Sequence, residues 1–169
     1  MKAFYKLLVV LFSAVFICSC SATKWSYEKD AINLHFTGDV ALNQYQKQAH
    51  SLIVCAYHLK DLNGFNQLID EKGGLERLLE CNRFDTSVTY SKRLVVQPNQ
   101  DMSENLSRTE DAKYLGIVAG YYSLKKEHVV RAYPIQVSWL NNPKHLNVEL
   151  YMGPEGIQEI KDKQAGQIR

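Results

Sequence analysis

Apolar and polar residues alternate over residues 31–37, with Ile32, Leu34 and Phe36 on one side and Asn33, His35 and Thr37 on the other. A period of two predicts a half-buried strand, ended by Gly38-Asp39. Residues 52–59 (LIVCAYHL) are apolar at both alternations, the pattern of a strand buried on both faces. The period then changes. Over residues 61–81, Leu62, Phe65, Leu68 and Ile69 recur at helical spacing, with Asp61 as the N-cap and Gly73-Gly74 as the stop. Leu75, Leu78 and Leu79 form a second short stripe, so two short helices inserted between strands make a side lobe. Strand patterning resumes over residues 87–97 and ends at Pro98-Asn99. Residues 102–108 are polar and weakly patterned, an edge strand or a loop. Residues 113–122 (KYLGIVAGYY) carry the strongest strand signal, and Gly116 and Gly120 within them suggest bulges or the close approach of another backbone. Residues 129–137 continue the sheet, Pro134 demoting their second half to an edge or a bulge. After a turn at 141–144, residues 145–152 alternate with Leu146, Val148, Leu150 and Met152 on one face. Gly153-Pro154 stops that strand and leaves 154–169 as a polar tail, helical at best. Many short strands separated by turn signals predict a mainly β chain folded as a β-sandwich over residues 31–153.

The N-terminus follows a different rule. Lys2 and Lys6 precede an apolar run through Phe16, too short for the roughly 20 residues that span a bilayer. A basic start, a short apolar stretch and small residues before a cleavage point make residues 1–19 a secretory signal peptide. The stretch Ile17-Cys18-Ser19-Cys20 resembles the lipobox of bacterial lipoproteins, with Cys20 as the acylated first residue of the mature chain. Cys18 fits that pattern less well, because Ile17 would then occupy the cleavage position. The alternative is a signal peptide that merely contains two cysteines. One acyl chain binds a membrane only marginally, but lipoproteins of this class carry three, so residues 20–30 form a lipidated tether. Ser21 at the position after the cysteine points, by the rule of that class, to the outer membrane with the domain facing the periplasm.

Removing residues 1–19 takes Lys+Arg from 20 to 18 against 18 Asp+Glu, and the net charge from +2 to zero. No basic surplus is left for phosphates, which argues against nucleic-acid binding. Cys55 and Cys81 remain. In an oxidising compartment they are candidates for a disulfide, the alternative being two buried thiols. The five histidines have no i, i+4 partner and no cysteine pair at metal-site spacing, so neither a metal nor a cofactor is predicted. The chain lacks a nucleophile elbow, a P-loop and a GxGxxG motif, and no enzyme is predicted. What stands out is residues 40–51 (VALNQYQKQAHS), longer than the roughly 2 to 5 residues of a hairpin loop and carrying Val40, Leu42 and Tyr45 among polar neighbours. Long loops are usually either disordered or functional, and these apolar residues favour function, the alternative being a solvated loop whose apolar residues fold back on the sandwich.

Four features taken together resemble the TssJ family of type VI secretion outer-membrane lipoproteins. They are the lipobox at Cys20, the strand–loop–strand with Leu42-Asn43 in the loop and VCAYHL leading into Lys60-Asp61 and Phe65, the stretch LVVQPN at 94–99, and YLGIVAG at 114–120. The departures are specific. Cys55 stands where the family usually has an Arg two residues before the tyrosine matched to Tyr57. Pro98-Asn99 replaces Pro-Gly, Tyr121-Tyr122 an aromatic-Arg pair, and Val130-Arg131 a Trp-Arg pair. The resemblance is therefore to a divergent member of the family. The resemblance implies a transthyretin-like two-sheet β-sandwich with a small inserted helical lobe. It also implies a tether that binds the periplasmic C-terminal region of the inner-membrane protein TssM through the loop between its first two strands. Residues 39–50 correspond to that loop. Val40, Leu42 and Tyr45 are then the expected apolar anchors, with Asn43, Gln44, Gln46 and Gln48 hydrogen-bonding at the rim. The competing readings are an outer-membrane lipoprotein of another envelope assembly and a periplasmic small-ligand binder. A projecting loop favours tethering, and a deep pocket with convergent polar groups favours the ligand binder.

Overall fold

The computed structural model describes residues 23–159. Residues 1–22, which include the expected signal peptide and Cys20, and residues 160–169 lie outside the described residues. Among the described residues eight strands form two four-stranded sheets, the first seven where the alternating patterns predict them. They are β1 (Glu28–Gly38), β2 (Leu52–Leu59), β3 (Val88–Val96), β4 (Asp101–Arg108), β5 (Tyr114–Ala119), β6 (Val130–Pro134), β7 (Leu146–Met152) and β8 (Ile157–Glu159). One sheet has the order β4-β1-β7-β8 and the other β3-β2-β5-β6. All pairings are antiparallel except β1 with β7, which run parallel from Ile32 opposite Leu146 to Gly38 opposite Met152.

Between the sheets lies one apolar core. β1 contributes Ile32, Leu34 and Phe36, β7 contributes Val148, Leu150 and Met152, and the facing sheet supplies Val54, Ala56, Leu94, Val96, Leu115 and Ile117. A side chain of this kind contributes roughly 1.5 to 3 kcal/mol when fully buried. The remaining residues of β2 explain its doubly apolar pattern. Cys55, Tyr57 and Leu59 point to the outer face of the sheet, where they meet Phe65, Leu68 and Leu78 of the helical lobe. That lobe is α1 (Asn63–Asp70) and α2 (Gly74–Leu78). A disulfide joins Cys55 of β2 to Cys81 just after α2, across a Cα separation of 5.1 Å. The Tyr57 hydroxyl donates to the carbonyl oxygen of Leu78 alongside it. A bridge over 26 residues contributes on the order of 3 kcal/mol by limiting the unfolded chain.

Four expectations are corrected by the fold. β1 begins at Glu28, so residues 28–30 belong to the sheet rather than to a tether ending at residue 30. Asp61 acts one position early. The N-cap is Leu62, while the Asp61 carboxylate accepts a 2.9 Å hydrogen bond from the amide of Asn63. The expected tail at 154–169 starts as structure, because residues 157–159 pair with β7 as β8. At Gly116 the close neighbour is a ring and not a backbone: a Cβ there would sit 2.9 Å from Cζ of Phe65. Two readings of the sheet edges agree. Residues 101–108 form an edge strand, and Pro134 ends the edge strand β6, where its missing amide costs no ladder bond.

Candidate functional site

The strand order separates the molecule into two ends. At one end β1 begins, β4 runs into β5, and β6 runs into β7. At the other, β1 runs into β2 through residues 39–51, β5 runs into β6, and β7 turns into β8. β1 has 11 residues, which at about 3.3 Å each places the ends roughly 35 Å apart. The N-terminal chain leaves from the first end. The long loop is at the second.

Residues 39–51 fold as a small ordered hairpin. The Asp39 carboxylate accepts from the amide of Ala41 at 2.6 Å and from the hydroxyl of Tyr151. These two donors, Tyr151 first, hold the Asp39 pKa below its usual value. The amides of Asn43 and Gln44 donate to the carbonyls of Gly153 and Pro154 at 3.3 and 2.9 Å, which ties the loop to the β7–β8 turn. The His50 amide donates to Leu42 O, and Tyr45 and Gln48 exchange backbone bonds in both directions, each at 2.9 Å. The tip is Gln46-Lys47, with φ of 50° and 64°. Left-handed backbone at both central residues is the turn that matches strand twist, yet it normally takes Asn or Gly. Each non-glycine residue there costs about 1 kcal/mol or more, a strain that concentrates at functional positions.

The loop's side chains divide into braces and presented groups. Leu42 is fully buried in the inter-sheet core, so it holds the loop down and is not an available anchor. Asn43 is 5% exposed and likewise is not a rim residue. Its Nδ2 donates to Ser51 O at 3.3 Å, and its Oδ1 accepts from the amide of Tyr122 at 3.0 Å. Both corrections have one cause: the hairpin is short enough to need its own core contact and its own polar clasp. Gln44, Gln46 and Gln48 are exposed. Val40 is 72% and Tyr45 48% exposed.

Tyr122 belongs to this surface and was not singled out as a site residue by the sequence. Its ring stacks on Tyr45 with centroids 4.4 Å apart and interplanar angle 18°, and His50 meets its edge at 5.2 Å. Tyr122 remains 55% exposed. The pair forms an aromatic platform between two loops far apart in sequence. Only its place after the strongest strand, as one of two consecutive tyrosines, hinted at it. Beside the platform is an open cleft of about 350 Å³ lined by Asn43, Gln44, Tyr45, Tyr122, Pro154 and Glu155 among others. A second, of about 450 Å³, lies across the β7–β8 turn against His128. The Tyr121 hydroxyl is buried without a hydrogen-bond partner among the described residues, and that burial raises its pKa.

Two of the departures have visible uses: Cys55 forms the disulfide and Tyr122 forms the stack. Arg131, which keeps its place in the pattern, donates through Nη2 to Ile157 O at 2.6 Å, joining β6 to β8. Among the described residues no group of three His, Cys, Asp or Glu side chains is placed to hold a metal ion. No described helix is long and apolar enough to cross a membrane.

Comparison with curated proteins gives no match. Solved structures do. Serratia marcescens Lip, a membrane bound component of the type VI secretion system, is 18% identical, with 81% of this chain and 98% of that chain covered at a TM-score of 0.63. The type VI secretion lipoprotein TssJ1 from Pseudomonas aeruginosa is 16% identical, covering 81% and 98% at a TM-score of 0.58. The structure of the TssM C-terminal domain from EAEC contains a match at 14% identity, 78% and 98% coverage and a TM-score of 0.60. At these identities the likeness is one of fold. The family model described as type VI secretion lipoprotein (VasD, EvfM, TssJ) matches residues 30–151. That match covers the sandwich from β1 to β7 but for residues 28, 29 and 152, and this chain belongs to the type VI secretion lipoprotein family.

Proposed function

We propose that this chain is an outer-membrane lipoprotein, acylated at Cys20, that tethers a type VI secretion membrane complex by gripping the periplasmic C-terminal region of a TssM-like protein. The observation that carries the proposal is the polarity of the sandwich. The chain leaves toward Cys20 at one end of β1, and an ordered loop with exposed Val40 and Tyr45 stands at the other. A strut of that kind holds its partner roughly 35 Å from the anchor without any reaction to catalyse. Val40, Tyr45 and the added Tyr122 are the apolar contacts, and Gln44, Gln46 and Gln48 supply hydrogen bonds around them, the pattern of a few buried hot spots within a polar rim. Leu42 and Asn43 act indirectly, by fixing the loop. Structures described as the TssM C-terminal domain and as the type VI membrane complex share this fold, which supports a place in that membrane complex.

The test is capture of the protein by a TssM periplasmic C-terminal fragment, with Val40→Asp and Tyr45→Ala compared against wild type. Retained capture by both variants would reject the loop as the contact. Membrane attachment is tested separately with Cys20→Ser, which leaves the protein in the soluble periplasmic fraction if acylation is the anchor. Recovery of that variant with the outer membrane would reject it.

A further inference from the structure

The most exposed large apolar side chain among the described residues is Trp139, at 89%, and its neighbour Leu140 is 59% exposed. They occupy the tip of the β6–β7 connection, which is an ordered hairpin. The Ser138 amide donates to Asn142 O at 2.8 Å, Asn141 to Ser138 O at 3.0 Å, and Lys144 to Gln136 O at 2.8 Å, while Val137 bridges Pro143. The backbone therefore holds an indole and an isobutyl group out in water, away from the core.

The position of this tip gives it meaning. The β4–β5 connection clasps two segments at once. The Asp111 amide donates to Trp25 O, and the Ile135 amide donates to Lys113 O, each at 2.8 Å. The first bond fixes the chain that leads back to Cys20. The second fixes the base of the Trp139 hairpin. Trp25 is five residues from Cys20, and five extended residues reach at most about 17 Å. An acyl group on Cys20 thus keeps this end of the sandwich close to the bilayer.

We propose that Trp139 and Leu140 enter the headgroup region of the membrane as a second, non-covalent contact beside the lipid anchor. The inference rests on the acylation of Cys20. Tryptophan suits the place, because its ring is apolar and its N–H finds partners among the headgroups. Charge does not drive the contact. At this end Glu28 pairs with Arg108 at 2.8 Å and Asp111 with Lys60 at 3.1 Å, and the groups offered to the bilayer are apolar, so neutral phosphatidylcholine is the membrane that tests them. A lipid on a short tether fixes distance but not tilt. A second contact stops the domain swivelling and directs residues 39–51 away from the bilayer.

The chain has two tryptophans, so W25F leaves Trp139 as the reporter. W25F expressed from residue 1 and processed by the cell is reconstituted into phosphatidylcholine vesicles with and without bromine in the acyl chains, then floated. The expected result is that the floated protein shows a blue-shifted Trp139 emission quenched roughly two-fold by bromine, as for a ring at the depth of 5 to 10 Å typical of interfacial segments. Flotation with unshifted, unquenched emission overturns the membrane contact and leaves the lipoprotein reading standing. Failure to float overturns acylation and, with it, this inference. If W25F does not fold, the difference between wild type and the exposed substitution W139F isolates the same signal.

Discussion

The side chain of Asn43 accepts a hydrogen bond from the backbone amide of Tyr122, at 3.0 Å and across 79 residues of sequence. That single clasp joins the loop after β1 to the loop after β5 and sets Tyr45 against Tyr122. Asn43→Ala removes it together with the bond to Ser51 O, leaving both backbone partners unsatisfied. The expected cost is about 1 to 3 kcal/mol in unfolding free energy. Amide exchange of residues 44–48 is expected to rise by more than global unfolding accounts for, since the clasp is local.

His58 predicts a pH dependence. Its side chain is fully buried on β2, with Nδ1 3.2 Å from the hydroxyl of Thr109 and Nε2 unpartnered among the described residues. Burial disfavours the charged imidazolium and lowers its pKa from 6.5 to about 4. The folded protein therefore binds fewer protons than the unfolded chain between those values. Stability from this group is fully present above about pH 6.5 and is lost as the pH falls toward about 4, by roughly 3 kcal/mol in all. Denaturant unfolding of His58→Gln at pH 7 and pH 4.5 is expected to show a drop smaller than that of wild type by about 2 to 3 kcal/mol. An unchanged drop would place the acid sensitivity elsewhere.

Gly116 is a packing requirement. A Cβ would lie 2.9 Å from Cζ of Phe65 and 3.1 Å from Cδ1 of Leu59, both side chains fully buried between sheet and lobe. Overpacking of this kind costs about 1 to 3 kcal/mol. Gly116→Ala is expected to lower the midpoint of thermal unfolding, and Phe65→Leu in the same chain is expected to recover part of the loss. A double variant no better than the sum of its parts would show that the ring is not the obstacle.

The sandwich was legible because its strands obey simple periods. Alternation exposed β1 and β7 as half-buried, and the doubly apolar run of β2 announced a layer on its outer face, which the lobe of α1 and α2 supplies. β8 was not legible. Its three residues, Ile157, Gln158 and Glu159, are too few to establish a period, and pairing with β7 decides their conformation. The loop after β1 was found by its length and its mix of residues, but the roles inside it were not. Leu42 and Tyr45 are both apolar in sequence. The backbone bonds to Gly153 and Pro154 draw the first part of the loop down onto the β7–β8 turn, where Leu42 is covered while Tyr45 stays 48% exposed. Tyr122 escaped notice because a contact across 77 positions leaves no local mark.

The proposed grip on a TssM-like periplasmic domain is through Val40, Tyr45 and Tyr122, at the end of the sandwich where residues 39–51 stand. The most direct measurement is the dissociation constant of the full-length protein for a TssM periplasmic C-terminal fragment, with Tyr45→Ala/Tyr122→Ala against wild type, thermal unfolding being checked for both. The expected result is a kept fold and an affinity lowered at least roughly 30-fold, as for a pair of interface hot spots worth about 2 kcal/mol or more. Equal affinity in a correctly folded double variant would contradict it, and would move the grip to another face of the molecule.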